Sequence, residues 1–402
     1  MYIKREIESS IDRLLRQGKV VLVTGARQVG KTTVLREHLG SSFGYVSMEN
    51  PRDYLLAKQD AALFFESKSL PLIIDEVQRV PELFSPLKWI VDQSTKKGQV
   101  VLTGSQTYQL MKGVSESLAG RIRILEMPGL SVRELMGNVG TAHPYVPAPV
   151  AVAQKAPNKN IWEIIHRGSM PELQDSTIDW DSFYSDYVSA YLERDVRDLI
   201  NVKNEAKFYS FMVACAARSG QLFNASDIGS AIDVDHKTVK AWLSVLQASN
   251  IVRIIEPFWP NIGKSLTKTP KLYFMDTGLV CHLTRWTTPE QLQVGAVAGH
   301  VFETFVVSEV LKSYMNAGGN VRDVWFYRDA KKREIDLVIQ EGHVLHPVEI
   351  KTSSTVRIDA IKHFGCLEGL SGYEVGFGHV VCQTPEPYSL TDRVQAIPLW
   401  AI

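Results

Sequence analysis

Apolar positions recur along the chain with two different periods, and the switches between them mark out its elements. Residues 2–17 set Ile3, Ile7, Ile11, Leu14 and Leu15 at helical spacing with charges between them, which predicts an amphipathic helix packed on a sheet edge or a neighbouring subunit. Residues 20–23 (VVLV) are an unbroken apolar run, the pattern of a strand covered on both faces in a parallel sheet. Similar short runs follow in GYVSMEN, which ends on Glu49 and Asn50, at residues 72–74, in QVVLTGSQ, and at Ile122, Ile124 and Leu125. Helical segments separate them. Strands alternating with helices in this way predict an α/β fold, with a parallel sheet over residues 1–139.

Periodicity is lost over residues 140–160, where Pro144, Pro147, Pro149 and Pro157 stand among Ala, Val and Lys; such a stretch reads as a surface linker. It returns in IWEIIHRG, FYSDYVSAYLERDVRDLI and FYSFMVACAARSG, so residues 140–220 are predicted to be the linker and a helical lid. Over 221–272 a short helix capped by Ser226 or Asp227 precedes a second that turns Val239, Trp242, Leu243 and Leu246 inward, and IVRIIEPF follows as a strand. Two helices and a strand in that order predict a winged helix. Residues 273–402 open with the helix GHVFETFVVSEVL and continue as a β-meander, DVWFYRDAKKREIDLVIQEGHVLHPVEIK.

Chemistry enters just after the first apolar run. Gly25, Gly30, Lys31 and Thr32 fit G-x-x-x-x-G-K-[ST] between a strand and a helix, the setting in which glycines let backbone N–H groups wrap a polyphosphate. The loop Gly25, Ala26, Arg27, Gln28, Val29, Gly30, Lys31, Thr32 and Thr33 is thus the predicted nucleotide cradle. Lys31 would reach the β- and γ-phosphates, and the Thr32 hydroxyl would hold Mg²⁺. Asp75 and Glu76 end the run at 72–74. Ligands of open α/β sheets lie beyond the carboxyl ends of the strands, so Asp75 is assigned to Mg²⁺ and Glu76 to the attacking water. Thr103, Ser105 and Gln106 end the next run, with Ser105 the candidate to touch the γ-phosphate. Arg121 precedes the fifth strand, and Arg194 or Arg197 could contact phosphates from the lid.

Two further constellations stand outside the loop. Between His236 and Lys271 the basic residues Lys237, Lys240, Arg253, Lys264, Lys268 and Lys271 face a single acid, Glu256; Lys237, Thr238 and Lys240 on the second helix, with Lys264 and Lys268 on the wing, could sit against DNA phosphates. Near the C-terminus, Glu349 and Lys351 alternate around Ile350 and so share one face of a strand. Asp336 enters the strand before. An acid followed by E-x-K is the metal-site pattern of PD-(D/E)xK nucleases: Asp336 and Glu349 would bind Mg²⁺, Glu303 would complete the shell from the helix, and Lys351 would help the attacking water.

Composition sets few limits beyond these. The 402 residues are 45% hydrophobic and 22% charged, with 44 basic and 44 acidic side chains, so only a local patch could serve nucleic acid. Cys215, Cys281, Cys366 and Cys382 form no C-x-x-C pair, which argues against zinc or disulfides. No apolar run is long enough to span a membrane and the first residues lack a signal segment, so a soluble, cytoplasmic protein is expected.

The series Lys31, Asp75, Glu76, Ser105, Arg121 resembles the AAA+ branch of P-loop ATPases over the first third of the chain. Together with IIDEVQRVPEL, SLAGRIRILEMPGLSVREL, YLERDV, KLYFMDTGL, GHVFETFV and EIDLVI…VEIK, the whole chain resembles a prokaryotic family that fuses an AAA-type ATPase to a C-terminal half of unknown function. The resemblance implies ATP binding, a winged helix and a nuclease-like C-terminal domain. In ring-forming ATPases an arginine placed like Arg121 reaches a neighbour's γ-phosphate, so homo-oligomerisation in a ring is implied, with a hexamer as the candidate size. The expectation is a Mg²⁺-dependent ATPase that binds and remodels or translocates DNA. Two alternatives stay open, an ATP-gated metal-dependent nuclease and an ATP-binding signalling switch that contacts protein.

Overall fold

The computed structural model describes residues 2–104, 118–151, 156, 160–192, 205–259 and 269–402. Its first part runs α1 (Ile7–Gln17), β1 (Val20–Thr24), α2 (Lys31–Leu39), β2 (Gly44–Ser47), α3 (Pro51–Gln59), α4 (Ala61–Glu66), β3 (Leu72–Asp75), α5 (Phe84–Gln93), β4 (Val100–Thr103), β5 (Ile122–Glu126) and α6 (Val132–Leu135). The strands form one parallel sheet in the order β2-β3-β4-β1-β5. Every residue of β1, β3 and β4 is buried, which is why these strands read as unbroken apolar runs. Alternate side chains supply separate cores: Val21, Val23, Ile73 and Val101 on one face, and Val20, Leu22, Ile74 and Leu102 on the other. Because β4 lies between β1 and β3, the loops leaving β1 and β3 come together over its end.

The middle runs α7 (Ile161–Arg167), α8 (Trp180–Tyr191), α9 (Glu205–Ala216), β6 (Gln221–Leu222), α10 (Ala225–Ile232), α11 (His236–Ala248), β7 (Val252–Ile255), β8 (Lys271–Phe274), α12 (Thr277–Leu283) and α13 (Pro289–Val294). Here β6, β8 and β7 make an antiparallel sheet with β8 in the centre. Val239, Trp242, Leu243 and Leu246 of α11 are buried as their spacing predicts. Phe208 and Phe211 of α9 lie 5.3 and 5.6 Å from the Trp242 ring, so α9 packs against α11. The cap of α10 is Asn224, whose side chain accepts from the Ser226 and Asp227 amides, and neither Ser226 nor Asp227 itself.

The last part runs α14 (Ala298–Asn316), β9 (Val324–Arg328), β10 (Glu334–Glu341), β11 (Val344–Ile350), β12 (Glu374–Val375), β13 (Gly378–Cys382), β14 (Tyr388–Ser389) and β15 (Val394–Pro398). The predicted meander is present as antiparallel β9–β10–β11, and β13 and β15 extend it in parallel. Helix α14 is buried along most of its length and bolted to the first sheet. Its Glu309 accepts from the Val132 amide at 2.7 Å, and its Lys312 donates to the Leu130 carbonyl at 2.9 Å. The proline-rich stretch is not a free surface linker over residues 145–150. Tyr145 is buried, donates from its amide to Ser313 at 2.9 Å and meets His379 at 2.6 Å, while the Val150 amide donates to Gln395 at 2.8 Å. Proline removes backbone donors and pre-sets an extended path, and here that path is a strap across the C-terminal domain. No described helix is long and apolar enough to cross a membrane.

Candidate active site

The loop leaving β1 adopts three left-handed backbone positions: Gly25 at φ 149°, Gln28 at 60° and Gly30 at 92°. Gly25 is required by space as well, since a Cβ there would lie 2.2 Å from the Met127 carbonyl oxygen. Ala26 and Val29 are buried, Arg27 is half-buried, and Gln28 and Thr33 are exposed. Lys31 opens α2 and is only 6% exposed. Its ammonium donates to the carbonyls of Gly25 at 3.1 Å and Ala26 at 2.7 Å, which holds it inside the curl of the loop. Arg5, which sequence patterning passed over, clamps this loop from outside. Its guanidinium donates to the carbonyls of Val29 at 2.9 Å and Pro128 at 2.8 Å and pairs with Glu134 at 3.0 Å.

Thr32 and Asp75 meet as expected from their positions after β1 and at the end of β3. The Thr32 hydroxyl lies 3.0 Å from both carboxylate oxygens of Asp75. A second hydroxyl, Tyr45 on β2, donates to Asp75 at 2.9 Å; burial and the Asp75 charge push this phenol up to about 12, so it stays a donor at neutral pH. Glu76 stands in a left-handed conformation, φ 55°. Burial raises its carboxyl above the usual range against the pull of Lys31, and Gln78 donates to it at 2.6 Å. At the end of β4 the Thr103 hydroxyl is fully buried without a hydrogen-bond partner among the described residues. Ser105, Arg194 and Arg197 lie outside the described residues.

Arg121 sits at the amino end of β5, whereas its own loop leaves the carboxyl end of the adjacent, parallel β1. It therefore faces away from the nucleotide cradle of its own chain. Its guanidinium grips Asp92 through two bonds, 2.6 and 2.9 Å.

The basic stretch expected at residues 236–271 is thinner than its composition suggests. Lys271 is buried in ion pairs, and Arg253 pairs with Glu126 of β5. Lys237 and Lys240 remain exposed on α11, whose N-terminus is capped by Asp235 and also bonded to it through Thr238 at 2.5 Å. Lys264 and Lys268 lie outside the described residues. Sequence alone counts charges, and only the fold shows which are spent on internal partners.

In the C-terminal sheet Leu337 pairs with Val348, so Asp336 and Glu349 at the next positions face one another across β10 and β11. Asp336 accepts from the Ile350 amide at 2.8 Å, and Lys351 donates to Glu349 at 2.6 Å. Burial raises both carboxyls, with each other's charge adding to it for Glu349 and that of Glu303 for Asp336. Glu303 approaches from α14, but its Oε1 is taken by Lys271 at 2.9 Å and Tyr273 at 2.7 Å. The expected three-ligand set of Glu303, Asp336 and Glu349 is thus brought together without forming a metal centre: among the described residues no group of three or more acidic, His or Cys side chains is arranged to hold a metal ion.

Comparison with known proteins gives three family matches along the chain. Residues 17–136 match a family described as an AAA domain, residues 158–290 a domain of unknown function (DUF8612), and residues 298–402 another (DUF4143). Uncharacterized proteins of Mycobacterium bovis and Mycobacterium tuberculosis are each 28% identical over 399 residues, spanning 98% of this chain and 83% of their own. Among solved structures, a Walker-type ATPase of Pyrococcus abyssi superposes with a TM-score of 0.42 at 16% identity, over 70% of this chain and 96% of its own. The Thermotoga maritima RuvB Holliday junction branch migration motor superposes at 0.30 and 16% identity, over 62% of this chain and 89% of its own. With the loop, the Thr32–Asp75 pair and the family match in place, the first third of the chain is a P-loop ATPase-type domain.

Proposed function

We propose that this protein is a Mg²⁺-dependent ATPase that acts on DNA. The observation that carries the reading is the meeting of Thr32 and Asp75 at 3.0 Å beside a buried Lys31. A hydroxyl and a carboxylate side by side are the donor set suited to a nucleotide-bound magnesium, a hard cation that takes oxygen ligands. Bound there, the ion would neutralise charge on the phosphate oxygens during phosphoryl transfer. Lys31 would exchange its two backbone carbonyls for the β- and γ-phosphates. Glu76, with its proton affinity raised by burial, suits the orientation and deprotonation of water, and Gln78 holds it in position. The unpartnered Thr103 hydroxyl supports a contact with the γ-phosphate or the attacking water, since a buried polar group without a partner is costly unless a ligand supplies one.

DNA as the partner rests on topology and on two exposed lysines. A helix–strand–helix–helix–strand–strand unit with its last strand in the centre of the sheet supports the winged-helix reading, and α11 carries Lys237 and Lys240. In the C-terminal domain, α14 followed by β9–β10–β11 and the parallel β13 supports the nuclease-like reading. Such folds serve binding as well as cutting. A ring in which Arg121 acts on a neighbour's nucleotide fits its position at the far end of the sheet.

The test is steady-state ATP turnover with duplex, single-stranded and branched DNA. Turnover should vanish in Lys31→Ala and rise several-fold with one DNA form. Undiminished hydrolysis by Lys31→Ala would sink the ATPase assignment. A rate indifferent to every DNA would sink the DNA reading and leave the ATPase standing.

A further inference from the structure

Arg5 belongs to the segment that leads into α1, yet its side chain ends on the nucleotide loop. It is 2% exposed. Its Nη1 donates to the Val29 carbonyl at 2.9 Å, and its Nη2 to the carbonyls of Pro128 at 2.8 Å and Gly129 at 3.1 Å. Its Nε faces Glu134 at 3.0 Å. Both ends of the residue are fixed. The Arg5 amide donates to Glu8 at 2.9 Å, and Glu134 is held by the amides of Glu6 at 2.8 Å and Ser131 at 2.9 Å. A guanidinium carries its donors in a rigid planar fork, so it sets the direction of the carbonyls it holds as well as their distance.

The consequence falls on the next peptide group. Val29 and Gly30 share one planar trans peptide, in which carbonyl and amide point in opposite directions. With the Val29 carbonyl drawn outward to Arg5, the Gly30 N–H is turned toward the concave side of the loop. That amide donates to no partner among the described residues, and Gly30, as the N-cap of α2, supplies no side-chain cap to the helix. The carbonyls of Gly25 and Ala26 are occupied as well, by Lys31. Anion-binding loops work by presenting successive N–H groups, and a carbonyl turned the other way would repel phosphate oxygens. A cation that holds a carbonyl outward therefore improves the site without touching the ligand.

We propose that Arg5 is a positioning residue for phosphate binding. By holding the Val29 carbonyl outward it presents the Gly30 amide to the polyphosphate, and so sets the affinity of the loop for the phosphate part of a nucleotide. The role rests on the ATPase reading of residues 25–33 and adds to it a side chain from outside the motif.

ATP binding to the full-length chain in Mg²⁺, measured by calorimetry beside urea midpoints and steady-state turnover, tests it. Arg5→Met keeps the length of the stem and removes every donor. A bond to a charged acceptor is at stake, so a folded Arg5→Met should bind ATP about tenfold or more weakly. KM should rise while turnover at saturating ATP is largely kept, because the Gly30 amide meets substrate and transition state alike. Arg5→Lys should lie in between, since one ammonium cannot hold Val29, Pro128 and Glu134 together. Tyr184→Phe, which loses a buried 2.6 Å hydrogen bond to Asp276, should lose stability and keep wild-type affinity. A folded Arg5→Met with wild-type affinity overturns the proposal, as does turnover lost at unchanged KM, or an equal loss of affinity in Tyr184→Phe. Where Arg5→Met fails to fold, Arg5→Lys decides alone: weaker binding upholds the proposal and wild-type binding overturns it. A wild-type chain that binds no ATP would sink the ATPase reading and this role with it, whereas ATP binding indifferent to Arg5 sinks this role only.

Discussion

Asp276, which lies between β8 and α12 and caps the helix, offers the sharpest quantitative prediction. Its Oδ1 accepts from the Tyr184 hydroxyl at 2.6 Å and the Leu279 amide at 2.7 Å, and its Oδ2 from the amide and hydroxyl of Ser169, both at 2.7 Å. The carboxylate is 6% exposed, so water cannot replace these bonds. The Ser169 carbonyl in turn accepts from the Leu130 amide at 2.8 Å, just beyond the strand that flanks the nucleotide loop. Asp276→Asn keeps one acceptor oxygen and turns an NH₂ toward a backbone N–H, either that of Ser169 or that of Leu279. Neither amide can reverse its polarity. The substitution loses two bonds to a charged acceptor, about 1.5–3 kcal/mol each, and leaves a buried donor unpaired. About 3–6 kcal/mol should be lost, against about 1.5–3 kcal/mol for Tyr184→Phe, which removes one bond to the carboxylate and strands no donor. Urea denaturation reports the total, and hydrogen exchange of the α12 amides should show the same order locally, because that helix loses its cap. An Asp276→Asn chain less than about 1 kcal/mol weaker than wild type would refute the assignment of this carboxylate as the acceptor for all four donors.

Two further outcomes follow from the geometry. If Arg121 completes a neighbour's site, Arg121→Ala and Lys31→Ala should each be inactive alone, with rates down by about 10³-fold or more for the arginine, and mixing them should restore turnover at mixed interfaces; full activity of Arg121→Ala alone would rule the role out. Burial lowers the His379 imidazole to about 4, below its unfolded value, so folding opposes its protonation. Its contribution is complete above the unfolded value near 6.5 and is lost as pH falls from there toward 4, to an extent of about 3 kcal/mol. His379→Gln should therefore flatten the acid side of the stability profile relative to wild type, and identical slopes would contradict it.

Much of the first sheet was legible because burial on both faces leaves an unbroken apolar record. Residues 20–23, 72–74 and 100–102 could be little else once separated by helical stretches. The nucleotide loop was legible because its glycines answer to local backbone geometry, as φ of 149° at Gly25 and 92° at Gly30 makes plain. Glu349 and Lys351 could be placed on one face from a period of two, whereas Asp336 reaches Glu349 only through the pairing of β10 with β11. Alternation also puts Lys271 and Tyr273 on one side of β8, where both reach Glu303.

The elements, their order and which residues share a face follow from the chain alone, since these depend on periods of 2 and 3.6 residues and on local backbone limits. Which side chains meet is set by the folded arrangement. Arg5 on the nucleotide loop, Tyr45 on Asp75, Asp92 under Arg121, Asp276 among Tyr184 and Ser169, and Lys271 inside the acids of the C-terminal sheet are all contacts between segments far apart in the chain. The physical reason is that a charge or hydroxyl has no periodic signature of its partner. The same lysine is a surface cation or the centre of a buried cluster according to which strand folds beside it.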